Sequence, residues 1–194
     1  MTRRAQRDAT RARLLQAAVA ALIERGVAGT TTLEVQQRAG VSRGTLLHHF
    51  PTHAELLSAT VAELVLRNEA GVWREHARVK PGSDPLAAAI STLAVAATSP
   101  SFLAELELWA VSRTDQALRE ALRNAERDAL KDSERVMAAL FAGLGDHPAL
   151  GRVIALSIEF ARGLALSELL RTDTGRRDQL VDDWIAVARR IMAG

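Results

Sequence analysis

Arg43, Gly44, Thr45 and His48 stand together on a short segment bounded by Ser42 and by Phe50-Pro51. If that segment is helical, Leu46 turns inward and the other four make up its outer side. A helix lying in the major groove of DNA needs such a side. Arginine reaches guanine edges or phosphate, a hydroxyl or methyl meets base edges, and glycine lets backbone approach closely. A metal reading competes for the histidines, because His49 and His53 are four positions apart. Pro51 interrupts the helix between them, and no carboxylate cluster completes a ligand set, so no metal is expected. Gly143-x-Gly145 lacks a third glycine and follows a helical pattern, so it reads as a helix stop rather than a phosphate loop. No G-x-S-x-G or H-E-x-x-H element is present, and no cofactor is expected.

The elements that must position these residues are helical. The chain has 194 residues, 48% apolar but only 4% aromatic, with alanine and leucine dominant. That composition favours helix over strand. There is no cysteine, which excludes disulfides and thiolate metal sites. The start carries no apolar signal segment, and Leu86–Ala97 is too short to span a bilayer, so a cytoplasmic protein without a membrane partner is expected. Charge is divided along the chain. Residues 1–53 hold eight arginines against Asp8, Glu24 and Glu34, a net +5, while the remainder carries −3. A basic first module on a mildly acidic body implies a polyanionic partner for the first part.

Periodicity predicts a first helix over Asp8–Arg25, stopped at Gly26. A second runs from Thr31, whose spacing to Glu34 fits a capping box, to Ala39-Gly40. Ser42 caps a third, Arg43–His49, and Thr52 opens a fourth that reaches about Ala77. Val79–Pro85 reads as a linker. Helices are then expected over Pro85–Ala97, Ser101–Val111, Thr114–Leu144, His147–Leu170 and Thr174–Met192. The fold class is all-α. A helix-turn-helix domain over residues 1–53 is joined to a helical domain over 54–194, with about nine helices in total.

Gly26, Thr30-Thr31, Ala39-Gly40-Val41-Ser42, Arg43-Gly44-Thr45-Leu46, His49-Phe50-Pro51 and Glu55-Leu56-Leu57 agree in type, spacing and helix order with a known pattern. The stretch 8–60 resembles the DNA-binding domain of the TetR (tetracycline-repressor-like) family. The resemblance implies a transcriptional regulator, not an enzyme, that binds double-stranded operator DNA as a homodimer. It further implies repression relieved by a small-molecule effector. Arg43, Gly44 and Thr45 would touch base edges or nearby phosphates. His49 and the amide end of the second helix at Thr30 and Thr31 would meet phosphate. Ser42, Leu47, His48 and His53 complete the expected DNA-binding set. Leu47 stands where the family usually has tyrosine, and a leucine there packs or touches a thymine methyl. The arginines at 3, 4, 7 and 11 fit either a DNA-contacting arm or a disordered tail.

The body offers two further sets. The segment 148–170 is apolar nearly all round and calls for a second partner. Ile154, Ile158, Ala161, Val181, Trp184 and Ala188 are the expected dimer interface, with completion of the monomer core as the competing role. Trp73, Phe102, Leu106, Trp109, Arg113, Met137, Phe141 and Phe160 are the expected lining of an effector pocket, apolar with a few polar groups such as Glu105 and Glu107. A helical enzyme or adaptor with an incidental helix-turn-helix is the alternative function, and confinement of the basic charge to residues 1–53 argues against it.

Overall fold

A computed structural model describes residues 2–171 and 173–194, leaving out the side chain at position 129. Among the described residues it is all-helical: α1 Arg3–Gly29, α2 Thr32–Ala39, α3 Arg43–His49, α4 His53–His76, α5 Pro85–Ala96, α6 Pro100–Ser112, α7 Gln116–Leu140, a 3-10 turn Ala142–Leu144, α8 Leu150–Glu168 and α9 Thr174–Ala193. No single helix among these is long and apolar enough to cross a membrane.

Several boundaries differ from expectation, and α1 continues past the kink at Gly26 to Gly29. α1 begins at Arg3 rather than Asp8, because Thr2 caps it by accepting the Ala5 N–H at 3.3 Å and the arginines, Ala5 and Gln6 are good helix formers. α7 stops at Leu140, where the chain tightens into the 3-10 turn ahead of Gly145 at φ 64°. α8 starts only at Leu150, since His147 Nδ1 accepts the Ala149 N–H at 3.1 Å and holds the preceding turn.

The residues fall into two compact units. The first comprises residues up to 67 together with 100–130, and the second comprises 68–99 with 131–194. The helix-turn-helix lies wholly in the first. There Leu14, Leu15, Ala17 and Ala18 of α1 bury against Val35 of α2, Leu46 and Phe50 at α3, and Leu56 of α4. One turn further along α1 a second cluster takes over: Val19 and Leu22 meet Leu57, Val61 and Leu64 of α4, Ala104 and Leu108 of α6, and Leu118 and Leu122 of α7. One apolar face of α1 thus carries both the reading module and the helices beside it. In the second unit α5 packs on α8 and α9. The α8–α9 junction is fixed there by Arg177, which pairs with Glu168 at 2.9 Å and donates to the Ala94 carbonyl at 2.9 Å.

Candidate nucleic-acid interface

The reading module is assembled from caps. Thr31 Oγ1 accepts the Glu34 N–H at 3.1 Å and starts α2. The reciprocal half of the expected capping box is absent, because the Glu34 carboxylate is taken by Arg25 at 2.8 Å and by Arg38. Arg38 also reaches Glu24 at 2.7 Å, so these ion pairs set the angle of α2 on α1. Gly40 closes α2 at φ 61°, with its N–H and that of Val41 returned to the Gln36 and Gln37 carbonyls. Only that left-handed residue lets the chain turn in the few residues before Ser42. Ser42 Oγ then accepts the Thr45 N–H at 3.2 Å and starts α3.

This construction sorts α3 into two sides. Leu46 is fully buried and Phe50 nearly so. Arg43, Gly44, Leu47 and His48 are exposed, and Thr45 is half-buried with its hydroxyl 2.9 Å from Ser42 Oγ. Arg43 has no carboxylate or hydrogen-bond partner among the described residues, so its guanidinium is available to a ligand. A Cβ on Gly44 would meet only Ser42 Oγ, at 3.9 Å, so the chain's own packing does not require glycine there.

The flanking residues divide. Thr31 is exposed at the amide end of α2. Thr30, placed with it by the sequence, is fully buried, and its hydroxyl donates to the Gly26 carbonyl at 2.8 Å. Its side chain is therefore structural. His53 Nε2 lies 2.7 Å from the Thr30 carbonyl and ties the start of α4 to this loop. His49 is half-buried, with its ring 5.5 Å from that of His48. Desolvation, then the charges of His48, Arg7 and Arg11, lower its proton affinity below that of an ordinary histidine. Sequence reasoning had no access to one further contact. Glu107 of α6 accepts the Val27 N–H at 2.8 Å, across 80 positions of sequence, at the break where Gly26 adopts φ 68°. Glu107 thereby leaves the set of polar groups expected to face an effector.

The other predicted sets are rearranged. Of the expected pocket, Phe102, Leu106, Trp109 and Arg113 lie in the first unit, whereas Trp73, Met137, Phe141 and Phe160 lie in the second. Phe141 is buried, and Phe160 stacks on Trp184 with ring centroids 5.9 Å apart. Of the expected interface, Ala161, Val181 and Ala188 are buried within a single chain, where they pack α8, α9 and α5, so they are not available to a partner. Trp184 is half-buried and its indole N–H donates to Ser157 Oγ at 3.0 Å. Ile154 and Ile158 keep partial exposure. The apolar residues left uncovered are others: Leu156 at 42%, Leu166 at 49% and Val187 at 42% exposed, with Leu169 and Leu170 beyond them. Among the described residues no group of three His, Cys, Asp or Glu is placed to hold a metal ion.

Comparison with known proteins converges on this region. Residues 14–60 match the family model for bacterial regulatory proteins of the tetR family. The chain is 31% identical over 182 residues to the HTH-type transcriptional regulator CymR of Pseudomonas putida, covering 93% of this chain and 89% of that one. Its fold is similar to that of a transcriptional regulator from Rhodococcus sp. Rha1, with TM-score 0.66 and 23% identity over 93% of this chain and 96% of the other. It is also similar to the multidrug binding protein EbrR complexed with imidazole, with TM-score 0.63 and 20% identity over 94% of each chain.

Proposed function

We propose that this chain, which belongs to the tetR family of bacterial regulatory proteins and is a DNA-binding transcriptional regulator rather than an enzyme, is a ligand-released repressor that acts as a homodimer on a palindromic operator in the cytoplasm. Residues 1–53 serve as the DNA-binding module and 54–194 as the effector and dimer body. The observation that carries the reading is α3 itself. It is capped at Ser42, anchored by Leu46, and turns Arg43 outward with no ion-pair or hydrogen-bond partner among the described residues.

Dimerisation is supported by the uncovered leucines of α8. Leu156, Gly163 and Leu166 share one face of that helix, and the small residue among them permits close approach of a second copy. Two short reading helices, one per chain, read enough sequence to specify an operator, whereas one alone does not. Leu166→Glu places a charge in that face without touching the packing of the chain on itself. Sedimentation is expected to shift from dimer to monomer with the melting temperature preserved. A variant that stays dimeric removes this face. Trp184→Glu is the poorer test, because Trp184 already serves Ser157 and Phe160 of its own chain.

Effector release is supported by α6. That helix carries Phe102 and Trp109 and also the Glu107 carboxylate that holds the turn leading into α2. A small, largely apolar ligand near Phe102 and Trp109 selects a position of α6 that displaces α2 and α3 from their productive spacing of about 34–36 Å between half-sites. EbrR, whose fold this chain shares, has been seen with imidazole, ethidium and proflavin. Linkage requires that an inducer bind the DNA-free protein more tightly than the operator complex, by the same factor by which it weakens operator binding. Titration of a candidate compound with and without operator checks this, and equal affinities dismiss that compound as an inducer.

A further inference from the structure

The first three turns of α1 carry a row of arginines. Arg4, Arg7, Arg11, Leu14, Ala18 and Leu22 recur at steps of three and four, so they line one face of α1. From Leu14 onward that face is buried in the module's core. Before Leu14 the same face is cationic. Arg3 and Arg4 occupy the first turn, where no acidic residue stands. Positive charge there opposes the helix dipole. None of Arg3, Arg4, Arg7 and Arg11 has a carboxylate within 4.0 Å among the described residues, although Asp8 and Glu63 border the groove beside Arg11.

The row leads to the end of the reading helix. The Arg11 guanidinium lies 5.2 Å from the centre of the Phe50 ring, directly after His49 and His48. The titratable and charged groups that act on His49 are His48 on α3 and Arg7 and Arg11 on α1. Together with desolvation, the larger cause, they lower its proton affinity. On α4 the nearest histidine, His53, is engaged with the Thr30 carbonyl instead. Four basic groups, Arg7, Arg11, His48 and His49, thus act on one another beside the end of α3, and among the described residues neither arginine is ion-paired to a carboxylate.

We propose that Arg4, Arg7 and Arg11, with His48 and His49, form a second phosphate-binding surface that grips the DNA backbone beside the segment read by α3. The inference rests on the DNA-binding function and extends the footprint beyond the helix-turn-helix. It develops the DNA-contacting alternative for these arginines and places them on the first turns of α1. A phosphate placed among these groups offsets their mutual repulsion and favours the charged form of His49. Binding therefore takes up a proton, and affinity rises as pH falls through the histidine range.

The test uses the full chain and a random-sequence duplex, so no operator need be known. Arg4→Gln/Arg7→Gln removes two charges while keeping good helix formers. The slope of log affinity against log salt is expected to flatten by about 0.9 per lost phosphate contact, hence by roughly two per bound chain. The melting temperature should hold, because both side chains are exposed. Wild-type affinity should increase on going from pH 8 to about pH 6, where imidazole charges, and His49→Gln should lose most of that increase. In the DNA-free Arg7→Gln variant the His49 ring, followed by proton NMR, should titrate at higher pH than in the wild type. An unchanged salt slope in the double variant overturns the surface. A pH dependence that survives His49→Gln overturns the proton uptake. Wild-type protein that binds no duplex at all overturns the surface together with the DNA-binding function it rests on.

Discussion

Arg43→Ala is expected to weaken operator binding more than any other single exposed change. A bidentate contact to a guanine is worth about 1–3 kcal/mol of discrimination against the wrong base. If two chains bind one operator, the loss is counted twice, about 2–6 kcal/mol. The fold should not notice, because Arg43 makes no ion pair or hydrogen bond among the described residues and the α3 cap depends on Ser42 and Thr45. Binding to random duplex should fall far less than binding to the operator, since a base contact carries sequence information and a phosphate contact does not. Fluorescence anisotropy with an operator identified by genomic binding gives both numbers. Equal losses on the two DNAs would reassign Arg43 from base reading to backbone contact, and no loss on either would remove it from the interface. The Arg4 and Arg7 variant should show the opposite signature, a comparable loss on both DNAs.

What the sequence made legible is what local chemistry decides. The boundaries of α3 and the turn before it follow from Gly40, Ser42 and the Phe50-Pro51 stop, each acting within a few residues. The inward turn of Leu46 follows from helical spacing alone. Where the reading failed, a longer-range competitor won. Thr30 looked like part of an exposed amide end, but the Gly26 break folds its hydroxyl back inside. Glu34 fitted a capping box until Arg25 and Arg38 claimed its carboxylate from other turns. Ala161, Val181 and Ala188 lie on genuine apolar stripes, and periodicity cannot say whether a stripe meets its own chain or a second one. The arginine row on α1 was visible at steps of three and four, but the sequence alone did not show that it remains helical. The bond from Glu107 to Val27 left no local trace at all.

That bond makes Gly26→Ala the substitution with the largest expected effect on the fold. Gly26 sits at φ 68° and ψ −176°, a region that only glycine occupies readily. Forcing an L side chain into it costs about 1–3 kcal/mol. A Cβ there would also lie 2.6 Å from Glu107 Oε1, closer than such atoms approach. The carboxylate must then swing away from the Val27 N–H, with the loss of a charge-assisted hydrogen bond. Water reaches this exposed amide in its place, so that part is held to about 0.5–1.5 kcal/mol rather than the full value for a buried group. The sum is about 1.5–4.5 kcal/mol, a large share of the 5–15 kcal/mol that typically separates a folded domain from its unfolded state. Urea unfolding should show a lower midpoint with the slope unchanged. The clash and the hydrogen bond share one side chain, so the Gly26→Ala/Glu107→Ala double variant should be less destabilised than the sum of its two parents. Strict additivity would show that Glu107 and Gly26 act independently, and an unchanged midpoint in Gly26→Ala would show that the break at residue 26 tolerates a side chain. Operator affinity should fall with stability in this variant, because the turn after Gly26 delivers the chain to Thr31 and the amide end of α2.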